Sequence, residues 1–545
     1  MHRIITLLRE IKYYFFSSKK INIKKINSTK NLKYKKTNLD NFLINTIPLL
    51  INQYEDFERS SKFVFGKKLD KDIVLLNEDI FNSYKFNFKR FKPAYFNKAD
   101  VKVPYEMARL QGLQIENYFN KETITYKDFS FPAIYWNSPM EVSIRLVNLI
   151  FHRVLLENNQ NKVILFDNNK DKLENEIAKH FEFVLNNLEN KGNVIGNHYL
   201  VELASLLLTI SNFEIDLDAT SFNEIVNEAI NTLDTQFYED GTNFEGSSHY
   251  AAFTTEIVIL FKLAFEALEC NQKVMKRIDK ILINNKFLIS SLLIDNELSQ
   301  IGDNDSGRIF YLFHNEIQPL KLDWLILMVD SFFNVESDLY NNIFIKEIKN
   351  NNINLNQLIK IESSPIEIFH DTYEIYNFEN FGVFIWRNDH EYFSIRCGPI
   401  GQNEIGGHAH HDQLSIEAYT NGKWIARDPG TGTYTDNIKI RNSFRSLAYH
   451  WGPNLEIKFP EESSFDCFRL TGTSSGKALA FNKLYFLGSA EFLNYKIYRE
   501  IHIDDGIIRI NDYCNEQIIN PYLKWGSSTN GIKEKFSNGY KRLNL

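Results

Sequence analysis

Three of the chain's thirteen histidines fall within four positions, in Gly406-Gly-His-Ala-His-His-Asp412. On a strand, His408 and His410 would project to the same side, and a short loop would converge them equally well. Asp428, in Arg427-Asp-Pro-Gly430, and His450, in Leu447-Ala-Tyr-His-Trp451, follow downstream. Two imidazoles and a carboxylate are an ordinary zinc ligand set with a fourth position open to water. A lone histidine bonded to backbone carbonyls would need no such reading. A packed cluster followed by an Asp-Pro-Gly turn points to function.

Three further stretches carry candidates. Asp240-Gly-Thr-Asn-Phe-Glu-Gly-Ser-Ser-His-Tyr250 reads as a loop opening a helix, which puts Tyr250 near the helix start. A tyrosine there serves as acid or base if positive charge lowers its pKa, and as a core anchor otherwise. Gly196-Asn-His-Tyr-Leu200 is a second loop-to-helix junction. Asn197 there suits a helix cap or a donor to a carboxylate or developing oxyanion. Ile301-Gly-Asp-Asn-Asp-Ser-Gly-Arg308 has the flavour of a calcium loop, but its glycine is misplaced and the terminal Glu is missing. It reads as a structured turn that could line a groove.

The elements that must position these residues change character along the chain. Between about 100 and 350 apolar residues recur at three- and four-residue steps: Met140, Ile144, Val147, Phe151 and Val154, then Leu200, Leu203, Leu207 and Ile210, then Ile257, Leu260, Ala264 and Leu268. Each set gives a helix one apolar face, and the series predicts a helical array or toroid. After about 371 the pattern turns to strands. Leu414 to Tyr419 alternates, turns at Asn421-Gly422 and returns through Lys423 to Ala426. Ile497 to Ile503, Asp505-Gly506 and Ile507 to Asn511 repeat that hairpin signature. Helices first and strands afterwards predict two domains rather than an alternating α/β sheet.

With 545 residues the chain is too long for one ordinary core. Its 43% hydrophobic and 24% charged residues exclude global disorder. A net charge of -7 argues against general nucleic-acid binding. Residues 1–40 nevertheless hold a local balance of +9, leaving -16 for the rest. This basic segment is read as a solvated arm, with contact to a membrane surface as the functional alternative. No run of eighteen apolar residues predicts a transmembrane helix, and Met1 to Ser18 lacks a secretory-signal pattern. The four cysteines form no CxxC pair, and there is no Walker A loop, GxGxxG or GxSxG.

Taken in order, these segments resemble the heparinase II/III-like polysaccharide lyases, a family that includes alginate lyases. The resemblance is carried by Lys102-Val-Pro-Tyr-Glu-Met-Ala-Arg109, Pro139-Met-Glu-Val-Ser-Ile-Arg145, Gly196-Asn-His198 and Glu245-Gly-Ser-Ser-His-Tyr250. Gly407-His-Ala-His-His-Asp412, Asp428-Pro-Gly430 and Arg441-Asn-Ser-Phe-Arg-Ser446 with His450 extend it. It spans roughly 95 to 515 and is closest in flavour to proteins of bacterial surface-polysaccharide loci. It implies an α+β multidomain chain: an arm with leading helices at 1–95, an incomplete (α/α) toroid at 96–365, and an antiparallel β-sandwich at 371–545. It further implies β-elimination on an acidic, uronate-containing polysaccharide. Asn197 and His198 would neutralise the uronate carboxylate, and Tyr250 and His408 would move protons. Glu245, Arg441 and Arg445 would serve substrate binding, although the two arginines suit pairing with the acidic chain equally well. His410, Asp428 and His450 would hold a structural zinc. The N-terminus argues for the cytoplasm or its membrane face, and the resemblance for the periplasm or envelope.

Two other readings stay open at this stage. One is a glycoside hydrolase on the same toroid, with Glu202, Asp240 and Glu245 available but no pair standing out. The other is a non-catalytic module that binds a surface polysaccharide during assembly.

Overall fold

The structure, a computed structural model, describes residues 32–53, 63–64, 67–68, 102–111, 136, 138–158, 170–190, 195–310, 319–333, 344–349, 353–434, 437–455, 468–516, 536–537 and 543–544. Most of the basic N-terminal arm and Cys467 lie outside the described residues.

The helical half comprises α1 (Asn38–Gln53), α2 (Lys102–Ala108), α3 (Pro139–Glu157), α4 (Lys170–Asn186), α5 (Asn197–Asn212), α6 (Ala219–Gln236), α7 (Ser248–Ala267), α8 (Gln272–Leu292) and α9 (Asp323–Asp330). Sequence neighbours pack together: α3 on α4, α5 on α6, α7 on α8, α8 on α9. The α3–α5 and α5–α7 contacts close the curve into the incomplete toroid. Side-chain caps start several of these helices, with Asp218 accepting from the Thr220 and Ser221 amides and Asn271 from Val274. The helices α3 and α7 are buried along almost their whole length, polar residues included. Some of their buried charges are paired, as Glu141 of α3 is with Arg109 at 2.6 and 2.9 Å.

The C-terminal half is built on two large antiparallel sheets, with a separate two-stranded pairing of 536–537 with 543–544. Its strands are β1 (Ile359–Glu362), β2 (Ile366–Glu367), β3 (Glu374–Phe378), β4 (Val383–Arg387), β5 (Tyr392–Arg396), β6 (Ile416–Thr420), β7 (Lys423–Ala426), β8 (Lys477–Phe481), β9 (Tyr485–Phe492), β10 (Tyr495–Asp504) and β11 (Ile507–Cys514). The first sheet runs β7-β6-β5-β4-β3, and the second β8-β9-β10-β11-β1 with β2 also on β11. Because β1 pairs with β11, the β layer begins at 359 rather than 371, inside the stretch expected to be helical. Both expected hairpins form. Asn421 and Gly422 have φ of 52° and 73°, and Asp505 and Gly506 have 47° and 74°, the left-handed pair of a tight hairpin turn.

The first sheet is buried on both faces, and its period-two alternation explains how. Val383 and Ile385 join the core of the helical half. Phe384 and Trp386 join the core between the sheets, with Phe486, Ile501 and Ile508 opposite. The sheet is thus the middle layer, and the loops at its edge meet the toroid.

Candidate active site

Two helix starts, one toroid loop and three loops of the β half converge at this seam. The first helical residue of α5 is Asn197, following Gly196. Its backbone amide donates to Glu245 Oε1 at 3.0 Å, and its Nδ2 lies 3.1 and 2.9 Å from the two Glu245 oxygens. Its Oδ1 is buried without a hydrogen-bond partner. Glu245, expected at the substrate, is fully buried and holds Asn197 in place. His198 points elsewhere: its side chain is half exposed and its Nδ1 meets Glu189.

The third residue of α7 is Tyr250, its amide bonded to the capping Ser247 hydroxyl at 3.1 Å. The phenol donates to Asp305 Oδ2 at 2.9 Å and lies 3.3 Å from the Tyr434 hydroxyl. Burial pushes the Tyr250 pKa well above its ordinary value, and the Asp305 and Asp303 carboxylates add to the effect. The sequence reading asked for positive charge near Tyr250; the groups raising its pKa are anions. Asp305 is held in turn by Lys102, by His249 Nε2 at 3.0 Å and by the Gly307 amide at 2.8 Å. Lys102 also lies 5.1 Å from the Tyr434 ring centre.

His408 stacks on Tyr250, with ring centres 3.7 Å apart and planes 18° from parallel. Its Nδ1 faces Asp303 Oδ2 at 3.1 Å, and its Nε2 lies 3.8 Å from Glu245 Oε2. The loop carrying it is fixed at several points. Gly407 donates to Gln402 Oε1 at 2.9 Å, Asp303 donates to the His408 carbonyl at 2.9 Å, and His411 donates to the Arg445 carbonyl at 2.9 Å. Buried Arg499, paired with Asp512, donates to the Leu414 and Trp451 carbonyls and ties the loop's end to the second sheet.

His410, Asp428 and His450 come together, all buried, with ligating atoms within 4.8 Å of one another. Buried nitrogens without hydrogen-bond partners, His410 Nδ1 and His450 Nε2, belong to this group. Burial lowers the His410 pKa, whereas at His450 burial is outweighed by the Asp428 carboxylate and the pKa is raised. The residues therefore fit a metal ion.

Arg441 and Arg445 are fully buried. Arg441 sits on α10 (Ile438–Arg445) and pairs bidentately with Asp303, one contact being 2.8 Å. Arg445 donates to the Arg469 carbonyl at 2.6 Å. Of the two expectations for Arg441, pairing with an acidic residue is what these contacts describe.

The sequence reading missed Asp303, Asp305, Lys102 and Tyr434. Asp303 and Asp305 lie in the loop that the sequence presents as a structured turn, and Tyr434 lies four residues beyond Asp428-Pro-Gly430. Proximity to that turn was the available signal for Tyr434. Glu202, Asp240 and Glu245 each have protein partners: Glu202 accepts from the Glu189 amide, Asp240 from Thr242, Glu245 from Asn197.

Comparison with known proteins agrees with this architecture. Residues 371–450 match the Heparinase II/III-like, C-terminal domain family. A crystal structure of heparinase III aligns over 91% of this chain and 73% of its own, with a TM-score of 0.50 at 13% identity. A heparan sulfate lyase HepC mutant from Pedobacter heparinus aligns over 87% and 73%, with a TM-score of 0.46 at 14% identity. A second heparinase III, the BT4657 gene product with methylated lysines, aligns over 86% and 74%, with 0.46 at 15%. No curated protein matches the sequence. The chain thus shares the fold of the heparinase III structure it aligns with, and its 371–450 segment matches the Heparinase II/III-like, C-terminal domain. Among the described residues, no helix is long and apolar enough to cross a membrane.

Proposed function

We propose that this protein is a polysaccharide lyase that cleaves a uronic-acid-containing polysaccharide by β-elimination. The observation that carries the reading is the Tyr250–His408 stack beside the Asn197–Glu245 corner, in a heparinase-type fold. In the proposed reaction the C5 proton leaves to a base, the C4–O bond breaks, a C4=C5 double bond forms, and the departing oxygen takes a proton. Asn197 neutralises the uronate carboxylate, which stabilises the enolate-like transition state more than the ground state. Tyr250, kept protonated by burial and nearby anions, acts as the acid to the leaving oxygen. His408 presents Nε2 as the base while Nδ1 rests against Asp303. Tyr434 is within reach to return a proton to Tyr250.

His410, Asp428 and His450 would hold a divalent cation, in our reading Zn²⁺, supplying fixed charge that braces the His408 loop. By resemblance we place the substrate among bacterial surface or extracellular polysaccharides.

The test is ultraviolet absorbance of the unsaturated product across a panel of uronate polysaccharides, with Tyr250→Phe as control. A rising signal abolished in a folded Tyr250→Phe variant supports the lyase. Turnover that survives the substitution, or reducing ends released without absorbance, refutes it.

A further inference from the structure

One carboxylate of the toroid serves two histidines of the β half. Asp303 Oδ1 lies 2.9 Å from His410 Nε2, and Asp303 Oδ2 lies 3.1 Å from His408 Nδ1. Arg441 grips the same carboxylate through both oxygens. All four side chains are buried. With a guanidinium on it, the carboxylate is ionised and only accepts, so both imidazoles must turn an N–H toward it.

That requirement fixes two tautomers at once. His410 carries its proton on Nε2, which leaves the Nδ1 lone pair free. That buried nitrogen has no hydrogen-bond partner and belongs to the group with Asp428 and His450. His408 carries its proton on Nδ1, which leaves the Nε2 lone pair for chemistry. A histidine that ligates through one nitrogen and gives its other N–H to a carboxylate is the usual outer-shell arrangement of metal centres. Here the outer carboxylate has a second client.

We propose that Asp303 is a positioning residue that couples occupancy of the His410–Asp428–His450 site to the tautomer and orientation of His408. Ligation through Nδ1 leaves His410 a single tautomer and strengthens its Nε2–H as a donor. The tightened contact fixes Oδ1, Arg441 fixes the plane of the carboxylate, and Oδ2 is thereby set against His408 Nδ1. The Asp303 amide, bonded to the His408 carbonyl at 2.9 Å, holds the two loops in register. The proposal rests on the metal reading given above and does not need lyase turnover.

The experiment uses the full chain with ¹⁵N-labelled histidine, stripped by chelator and titrated with Zn²⁺. Side-chain signals are assigned with His408→Gln and His410→Gln. In the native protein Zn²⁺ should move the His410 signals and also shift or sharpen those of His408, which is not a ligand. In Asp303→Asn, Zn²⁺ affinity should fall about 10–100-fold and the His408 response should vanish. Since that variant leaves Arg441 without its anion, Asp303→Glu is the second test. It keeps the charge, moves the carboxylate by one methylene, and should retain Zn²⁺ while losing the His408 response. A His408 signal indifferent to Zn²⁺ in the native protein, or equally responsive in a folded Asp303 variant, overturns the proposal, as does failure to bind Zn²⁺ at all. Absent lyase product with the His408 response intact would count against the lyase reading alone.

Discussion

Tyr250, from the start of a toroid helix, and His408, from a β-half loop, stack with ring centres 3.7 Å apart. Residues 158 positions apart in sequence thus set a phenol and an imidazole side by side. Replacing His408 by Gln should keep the loop's polar contacts while removing the proposed base. We expect kcat to fall by about 10²–10⁴ with KM changed only a few-fold, the size typical of a lost general base. Steady-state kinetics on the polysaccharide identified by absorbance checks this. A variant with kcat within threefold of native would remove His408 from the chemistry.

Asp305 tunes the same phenol. Around Tyr250 stand Asp305, Asp303, Tyr434, Glu245, the stacked His408 and, edge-on with its ring centre 5.7 Å away, His249. Burial raises its pKa most, and the Asp305 charge raises it further. Asp305→Asn removes that charge, so the phenol should ionise at lower pH. If Tyr250 is the acid, it must be protonated to work, and the alkaline limb of the kcat profile should move to lower pH. The pH profile of the variant measures this directly. A limb that stays put or moves upward contradicts the acid assignment.

The division between what sequence could and could not reveal follows the range of the interactions. The Asn421-Gly422 and Asp505-Gly506 turns are local, set by residues tolerant of left-handed backbone, and they were legible. The loop-to-helix junctions at Asn197 and Tyr250 are legible because they too are local, set by Gly196 and the capping Ser247 at the helix starts. Asp303 was not, because its partners His408, His410 and Arg441 lie more than a hundred residues away. Nothing within the Gly-Asp-Asn-Asp loop distinguishes a carboxylate that caps a turn from one that bridges two imidazoles. The strand at 359–362 escaped because its partner is 511–514 and its exposed residues give no buried alternation. For Arg441 and Arg445 the sequence leaves substrate contact and pairing with the chain's own acids equally open, because it does not display the full burial both have in the fold.

Gly302 joins the helical loop to the histidine loop. Its φ is +64°, and a Cβ there would collide with the His408 carbonyl oxygen. Gly302→Ala should therefore strain the backbone, by roughly 1–3 kcal/mol, and push His408 away from Asp303. A displacement of about 1 Å at a reacting group costs on the order of 100-fold in rate. We expect a lowered melting temperature together with a kcat loss that exceeds any change in KM. Native kcat in a folded Gly302→Ala protein would mean that the two loops are not held in register through this contact.

Glu256 offers a stability test separate from the site. It lies within α7, and its Oε2 accepts from the Ile309 and Phe310 amides at 2.8 and 3.0 Å, while Oε1 has no hydrogen-bond partner. Burial raises its pKa to about 7, against which Arg308 and the two amides work only partly. The unfolded chain ionises this group near 4.5, so between 4.5 and about 7 the unfolded state holds fewer protons than the folded one. Stability must then fall as pH rises through that window and level off above it. A glutamine keeps the acceptor for both amides and does not ionise. Glu256→Gln should thus gain stability relative to native as pH rises from 5 to 8, by roughly 3 kcal/mol at most given about 1.4 kcal/mol per pKa unit. Denaturant melts of both proteins at pH 5, 6, 7 and 8 decide it. A stability difference that is flat across those four points would show that Glu256 ionises alike in the folded and unfolded chains.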